Sequence, residues 1–111
     1  MARRTTILSQ LAERDLARIV AWTAEKFGDR QALAYLDAIT STIEELAEDD
    51  THPRSKARGE IALGLRSLHM AKRGRPGRHL ILYKETKTVV TILRVLHDSM
   101  EVSRHLPKAQ E

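Results

Sequence analysis

The stretch that most restricts the fold of this chain is Val89–His97, with the sequence V-V-T-I-L-R-V-L-H. Seven of its nine residues are Val, Ile, Leu or Thr and none is Gly or Pro, which predicts a β-strand. Strict alternation places two sets of side chains on opposite faces, Val90, Ile92, Arg94 and Leu96 on one and Val89, Thr91, Leu93, Val95 and His97 on the other. Because both faces are largely apolar, we expect this strand inside a sheet that is covered on both sides. Arg94 and His97 are the polar exceptions and the first candidates for chemistry.

Two amphipathic helices are predicted in the first half of the chain. Ser9 is placed to cap the first helix and Gly28 to end it, and Asp29 can cap the second. Apolar residues recur at helical spacing in both segments, at Ala12, Leu16, Ile19, Val20, Thr23 and Phe27 and then at Ala32, Leu36, Ile39, Ile43, Leu46 and Ala47. Helices joined by so short a link must fold back on each other as an antiparallel hairpin.

The second half of the chain predicts an antiparallel meander. Strands are expected at 64–70, 79–84 and 89–97, and a further short strand at 5–9 precedes the helices. The segments 51–63 and 71–78 contain Gly and Pro and are predicted to be loops, and Asp98 or Ser99 can cap a short helix over 100–106.

The predicted order is therefore β-α-α-β-β-β-α, an α+β fold. A helical hairpin and a sheet each leave an apolar side exposed when alone, so we expect the hairpin to cover one face of a twisted, mostly antiparallel sheet. At 111 residues the chain is predicted to be a single domain, residues 1–111, with its core at about 5–106.

Composition bounds the class of protein. No apolar run approaches the roughly 18 residues of a bilayer-spanning helix, and the opening M-A-R-R-T-T-I-L-S-Q-L lacks the apolar core of a secretory signal. The absence of Cys excludes disulfides and thiolate metal sites and fits a reducing compartment. We therefore expect a cytoplasmic protein that does not enter a membrane.

Charge is unevenly distributed along the chain. Residues 54–78 carry eight basic side chains and one acidic side chain, a net charge of +7, whereas residues 1–53 carry six basic and ten acidic side chains. Such a block favours an acidic partner, either nucleic acid or an acidic protein segment, although a basic loop can also serve solubility alone. The candidate contact residues in the block are Arg66, Lys72, Arg73, Arg75 and Arg78.

Most catalytic motifs are missing. There is no phosphate-binding glycine loop, H-E-x-x-H or G-x-S-x-G, and the five histidines are not at metal-ligand spacings, so neither a metal ion nor a cofactor is expected. Metal-free cleavage of RNA needs a base, an acid and a cation, which Arg66, Arg94 and His97 could supply. Alternatively, Arg94 pairs with a carboxylate and His97 ends its strand with a backbone hydrogen bond.

Several motifs together resemble a known family. These are I-L-R-V-L-H-D-S-M-E-V-S-R-H-L at 92–106, G-L-R-S-L at 64–68, L-Y-K at 82–84 and I-L-S-Q-L-A-E-R-D-L-A-R-I-V-A-W-T at 7–23. In this order they resemble the RelE/ParE superfamily of toxins from type II toxin–antitoxin systems. Because the chain continues past His97 into a predicted helix, it is more similar to the ParE branch. The basic tip at 72–78 is longer than the hairpin typical of that branch.

The resemblance implies a function and partners. ParE-type toxins poison DNA gyrase and block replication without catalysis, and an antitoxin with a DNA-binding N-terminal part and an acidic amphipathic C-terminal tail neutralises them. Contact with DNA would then be indirect, and target or antitoxin contacts are expected at the basic residues named above, at Arg94 and at His97. The alternatives are a RelE-like, ribosome-dependent mRNA endonuclease using Arg66, Arg94 and His97, or a remnant that binds an antitoxin and is not toxic.

Overall fold

The computed structural model describes residues 3–48, 51–72 and 74–106. The elements in chain order are β1 (Thr5–Leu8), α1 (Gln10–Phe27), α2 (Asp29–Glu48), β2 (Lys56–Ala57), β3 (Arg66–His69), β4 (His79–Glu85), β5 (Val89–His97) and a 3-10 helix (Val102–Arg104). The predicted α+β class is confirmed, and so are the helical hairpin and the three-stranded meander.

The five strands form one mixed sheet in the order β1-β5-β4-β3-β2. β5 lies between β1, to which it is parallel, and β4, to which it is antiparallel, so the predicted interior position of this strand is confirmed. β3 pairs antiparallel with both β4 and β2. The prediction of a loop throughout 51–63 is wrong at β2, a strand of two residues that is too short to produce an alternating pattern.

The helical hairpin forms as its end signals predicted. The Ser9 side chain accepts a hydrogen bond from the Ala12 amide at 3.0 Å, which caps α1. Gly28 ends α1 with a φ of 94°. Residues that carry a Cβ rarely adopt this backbone conformation. The hairpin packs on one face of the sheet, where a buried core joins the helices to the strands through Ala12, Ile19, Ile39, Ile43, Leu46, Leu68, Met70, Ile81, Tyr83, Val90, Ile92 and Val95.

The strict alternation predicted for β5 is wrong beyond Ile92. Leu82 lies opposite Arg94 whereas Tyr83 lies opposite Ile92, so Leu93 is an extra residue in the ladder. Such a β-bulge shifts every following side chain by one position. As a result Val95 joins Ile92 in the core below the helices, and Leu93 packs on the other face together with Leu96.

The second face of the sheet has a smaller apolar cluster. Leu65, Leu82 and Leu96 are buried there, covered by side chains of the 58–65 turn and of the C-terminal segment. The helix predicted over 100–106 is observed only as the 3-10 turn Val102–Arg104. Both candidate caps have other partners, since Asp98 accepts from Arg78 and Ser99 bonds to His97, and this leaves the first turn of an α-helix uncapped.

Gly77 is required by close packing. A Cβ at this position would lie 2.9 Å from the Cβ of Met70, a fully buried core residue, and 3.2 Å from the Ala71 nitrogen. We expect Gly77→Ala to lower the free energy of unfolding by about 1–3 kcal/mol, as overpacking does. Urea unfolding checks this, with Gly59→Ala as the matched control, since a Cβ at Gly59 meets nothing within 4 Å. Equal stabilities of the two variants would contradict the packing role.

Candidate functional site

Three strand ends bring a polar cluster to one edge of the sheet. His97 on β5 lies directly opposite His79 on β4, and their rings meet edge to face with centroids 5.5 Å apart. His69 ends β3 beside them, and Tyr35 of α2 places its hydroxyl 2.8 Å from Nδ1 of His79. We call His69, His79, His97 and Tyr35, together with Asp98, the strand-end cluster.

Asp98 links this cluster to Arg78, the last residue of the basic tip at 72–78. The Arg78 guanidinium donates to both carboxylate oxygens, at 2.9 Å from Nη2 to Oδ1 and 3.1 Å from Nε to Oδ2, and His69 Nε2 lies 2.9 Å from Oδ2. The hydrogen bonds from Arg78 and then from His69 hold the pKa of Asp98 well below its usual range. Asp98 therefore stays ionised and engaged, and it is not placed to act as a proton acceptor.

Backbone bonds fix the tautomers of three histidines. In each, Nδ1 accepts an amide hydrogen from the residue two positions later, at 3.1 Å in His52, 2.9 Å in His69 and 3.1 Å in His97. An accepting Nδ1 requires that Nε2 carries the hydrogen when the ring is neutral. His52 and His69 direct Nε2 at Glu45 and Asp98, each at 2.9 Å. His97 has no such partner for Nε2 in the described part of the chain.

The environment of His79 lowers the pKa of its ring. Burial, and then repulsion from His97, lower the pKa of His79 from 6.5 to about 4. The ring is therefore neutral near pH 7, with Nδ1 within hydrogen-bond distance of the Tyr35 hydroxyl. Burial also raises the pKa of Tyr35, so this hydroxyl remains protonated.

Helix α1 continues the edge of the sheet where β1 ends. β1 pairs with β5 as far as Ile92. Beyond that point the Ser9 hydroxyl donates to the Leu93 carbonyl at 2.8 Å, and the Val95 amide donates to Oδ2 of Asp15 at 2.9 Å. Two side chains near the start of α1 thus satisfy backbone groups that a neighbouring strand would otherwise pair.

Arg94 is held by a carboxylate, as one of the two sequence-based interpretations proposed. Its Nε and Nη2 donate to the two oxygens of Asp15, each at 2.8 Å, and Nη1 donates to the His105 carbonyl at 2.6 Å. The bond to Asp15 raises the pKa of Arg94 further. The guanidinium joins α1 to the C-terminal segment and has little freedom to serve a substrate.

Arg66 lies apart from His97. Its Nε donates to the Ser55 hydroxyl at 2.8 Å and lies 3.8 Å from a Glu85 oxygen. Arg66 is opposite Tyr83 of β4, whereas His97 is opposite His79, four residues or about 13 Å away along that strand. The three residues predicted for RNA cleavage are therefore not assembled: Arg94 and His97 share a region, and Arg66 lies elsewhere.

The described cations of the basic tip all contact oxygen atoms of other residues. Lys72 Nζ lies 3.8 Å from a Glu45 oxygen, and Arg75 Nη2 donates to the Met70 carbonyl at 2.6 Å. Arg78 remains largely exposed while it pairs with Asp98. Arg73, the other predicted contact residue of the tip, lies outside the described residues.

Sequence reasoning missed the acidic partners of these cations. Asp15 is on the inward stripe of α1, three residues after Ala12 and four before Ile19, and a carboxylate on an apolar stripe indicates a buried ion pair. No comparable pattern marks Asp98 or Tyr35, because their contacts depend on how the strand ends meet. Within the residues described, no group of three or more His, Asp or Glu side chains could hold a metal ion. No helix in the described ranges is long and apolar enough to cross a bilayer.

A half-open cleft of about 150 Å³ lies beside the strand-end cluster, between α1 and the C-terminal segment. The cleft is lined by Asp15, Arg18, Ile19, His79, Arg94, Val95, Leu96, His97, Met100 and His105. We call this the α1 cleft.

Comparisons with known proteins agree with this architecture. The chain is similar in fold to a toxin–antitoxin structure titled the chromosomal ParDE system from P. aeruginosa, with a TM-score of 0.65 and 17% identity over 86% of this chain and 96% of that one. It is also similar to a chain of the E. coli DinJ-YafQ toxin–antitoxin complex, with a TM-score of 0.51 and 17% identity over 88% and 96% of the two chains. At such identities these likenesses show the fold alone.

Sequence comparison goes further. The toxin ParE1 of Caulobacter vibrioides is 34% identical over 99 residues, which span 89% of this chain and 94% of that protein. The family described as the ParE toxin of the type II toxin–antitoxin system parDE matches residues 6–102. The resemblance inferred from the motifs is thereby confirmed, and the chain belongs to the ParE toxin family of type II toxin–antitoxin systems.

Proposed function

We propose that this chain acts as a non-catalytic toxin that inhibits DNA gyrase, blocks replication and is neutralised by a cognate antitoxin. The main support for this proposal is that the residues that RNA cleavage would need lie apart and are bound to other groups of the chain. Arg94 is bound to Asp15 on both carboxylate oxygens, and Arg66 lies about 13 Å along the sheet from His97. General acid–base catalysis requires such groups to converge within hydrogen-bond reach of one phosphate.

The chemistry of the strand-end cluster supports the same proposal. A base that accepts a proton from a ribose hydroxyl needs a free lone pair and a pKa near the working pH. Nδ1 of His97 is occupied by the Ser99 amide, and Nδ1 of His79 lies against Tyr35 in a ring whose pKa is lowered to about 4. These imidazoles are engaged in hydrogen bonds that stabilise the fold, and they are poorly placed for proton transfer.

A protein antitoxin is the expected partner. The two solved structures of similar fold are, by their titles, a ParDE system and a toxin–antitoxin complex, and they cover 86% and 88% of this chain. Any contact of this chain with DNA would then pass through the DNA-binding part of the antitoxin. An acidic antitoxin segment suits a toxin with a net charge of +4, since opposite charges speed association.

Induction of this chain alone in bacterial cells tests the proposed target. We expect the uptake of labelled thymidine to fall before the uptake of labelled leucine, with filamentous cells, because arrested replication blocks division before it limits translation. Purified protein should also inhibit DNA supercoiling by gyrase. An earlier fall in leucine uptake would overturn the proposal in favour of the ribosome-dependent endonuclease.

The variant His97→Asn further distinguishes a non-catalytic inhibitor of gyrase from a ribosome-dependent endonuclease. Asn keeps an acceptor for the Ser99 amide but has no ring to donate or accept a catalytic proton, so we expect the arrest of DNA synthesis to persist. Circular dichroism of the purified variant confirms that it is folded. Loss of toxicity in this folded variant, together with mRNA cleavage in cells that express the unmodified protein, would contradict a non-catalytic mechanism.

A further inference from the structure

The end of the helical hairpin lies outside the buried core. The last buried residue of α1 is Thr23, and the first buried residue of α2 is Ala32. The structure describes all of residues 24–31 between them, and none of these is buried. Phe27, which the spacing in α1 places on the inward stripe, is 66% exposed. The hairpin packs on the sheet only up to Thr23 and Ala32, so its end is a separate surface.

Two aromatic rings form the apolar part of this surface. The rings of Trp22 and Phe27 meet edge to face with centroids 5.9 Å apart, and Trp22 is 55% exposed. Neither residue lines the α1 cleft. Since a whole aromatic side chain can bury about 150–250 Å², the exposed parts of the two rings present roughly 250 Å². Their mutual contact orients them before any partner binds, which lowers the entropic cost of association. We call Trp22 and Phe27 the hairpin-tip pair.

Charges of both signs surround the hairpin-tip pair in the sequence. The four charged residues are all exposed, and none forms an ion pair or a side-chain hydrogen bond within the described part of the chain; they are Glu25, Lys26, Asp29 and Arg30. A group of two acids and two bases has no net charge, so it does not favour a polyanion such as nucleic acid. It does match a second copy of itself, because a twofold axis can bring each sign opposite the other.

We propose that the hairpin-tip pair is a self-association surface, at which two copies of this chain form a weak symmetric dimer. The rings of one copy pack on the rings of the other, and the four charged residues of each copy form the polar rim. An aromatic centre with a polar rim is the usual composition of a protein interface. The aromatic area is well below the roughly 800 Å² per partner of a stable interface, so we expect a dissociation constant of about 10–100 μM. The dimer requires neither gyrase nor an antitoxin.

Concentration series on the full-length protein test the dimer. Trp22 is the only tryptophan in the sequence, so tryptophan fluorescence reports on the hairpin-tip pair directly. We expect its emission maximum to move to shorter wavelength as the concentration rises through the dissociation constant, because the second copy removes water from the ring. Sedimentation velocity should show the mass rising from 12.6 kDa to twice that value over the same range. A constant monomer mass would overturn the proposal.

Two variants that each remove one exposed apolar side chain locate the contact. Phe27→Ser keeps Trp22 as the probe and removes a ring from both copies, so we expect the dissociation constant to rise at least about tenfold. Leu63→Ser is the matched control, since Leu63 is 91% exposed in the turn that covers the other face of the sheet, and it should leave the constant unchanged. Circular dichroism checks that both variants are folded. Equal effects would mean non-specific association of exposed apolar residues and would overturn the surface.

Exchange of charges tests whether the rim is complementary to itself. Lys26→Glu gives the four rim positions a net charge of −2, and Glu25→Lys gives them +2. At low salt each variant alone should dimerise more weakly than the unmodified protein, and an equal mixture of the two should recover the association, because only the mixed dimer brings opposite charges together. Failure of the mixture to recover would overturn the symmetric contact.

The same fluorescence signal distinguishes a second copy from the antitoxin. If the emission of the toxin alone did not depend on concentration and shifted only when the cognate antitoxin was added, the hairpin-tip pair would belong to that partner, and the dimer would be overturned. The result does not bear on the proposed target, since the arrest of DNA synthesis is measured separately in cells.

Discussion

Asp15→Ala is expected to lower the free energy of unfolding by about 3–5 kcal/mol, the usual cost of removing one partner from a buried ion pair. The substitution leaves the Arg94 guanidinium, whose side chain is 12% exposed, without its counter-charge. It also removes the acceptor of the Val95 amide at the edge of β5, where no strand replaces it. Both effects act at the junction of α1 with the sheet, so the loss affects the whole fold.

Urea unfolding measured by circular dichroism checks this expectation. Asp37→Ala is the matched control, because Asp37 is exposed on α2 and forms no ion pair within the described ranges, and it should change stability by less than about 0.5 kcal/mol. Adding Arg94→Leu to Asp15→Ala should recover part of the loss, since the stranded charge is then gone. A loss below about 1 kcal/mol in the single variant would show that solvent reaches the pair.

The ion pair also affects how toxicity data are interpreted. Arg94 is a natural choice for mutation because it interrupts an apolar strand, and loss of toxicity in Arg94→Ala would resemble the loss of a catalytic cation. The bonds to Asp15 and to the His105 carbonyl predict a strongly destabilised protein instead. Only variants that keep the fold, such as His97→Asn, can separate a catalytic from a non-catalytic toxin.

The elements that could be predicted from the sequence are those specified by local chemistry. Ser9 and Gly28 mark the ends of α1 through a side-chain cap and a positive φ, and both properties belong to single residues. The apolar run of β5 predicts its central place because only a strand covered on both sides can bury such a sequence. These features were confirmed because no distant part of the chain is needed to decide them.

The elements that could not be predicted depend on distant contacts. The bulge at Leu93 arises where β5 leaves β1 and meets α1, and no residue type in the run marks it. The C-terminal helix was predicted from capping residues, but Asp98 pairs with Arg78 across the strand ends, and Ser99 bonds to His97 two residues before it. The sequence gives the net charge of the 54–78 block, but it does not show which of its cations contact oxygen atoms within the fold.

The strand-end cluster makes the protein sensitive to acid. His79 has a pKa of about 4 in the folded protein and an ordinary value of 6.5 when unfolded, so its stabilising contribution is complete above pH 6.5 and is lost as the pH falls from 6.5 to 4. Because the His79 ring is partly exposed, the full effect of the pKa shift is reduced. We expect protonation of His79 to lower the free energy of unfolding by about 2 kcal/mol between pH 7 and about pH 4.5. Asp98 acts only at lower pH, because its pKa lies below its ordinary value of 3.8.

His79→Asn isolates this contribution. Asn retains an oxygen near the position of Nδ1 that can accept from the Tyr35 hydroxyl, but it does not titrate, so the loss of stability between pH 7 and about pH 4.5 should shrink by about 2 kcal/mol. His105→Asn, at a ring without a hydrogen bond in the described ranges, should leave the pH profile close to that of the unmodified protein. If stability depended on pH in the same way in His79→Asn and in the unmodified protein, folding would not lower the pKa of His79. The acid sensitivity would then have to arise from another group.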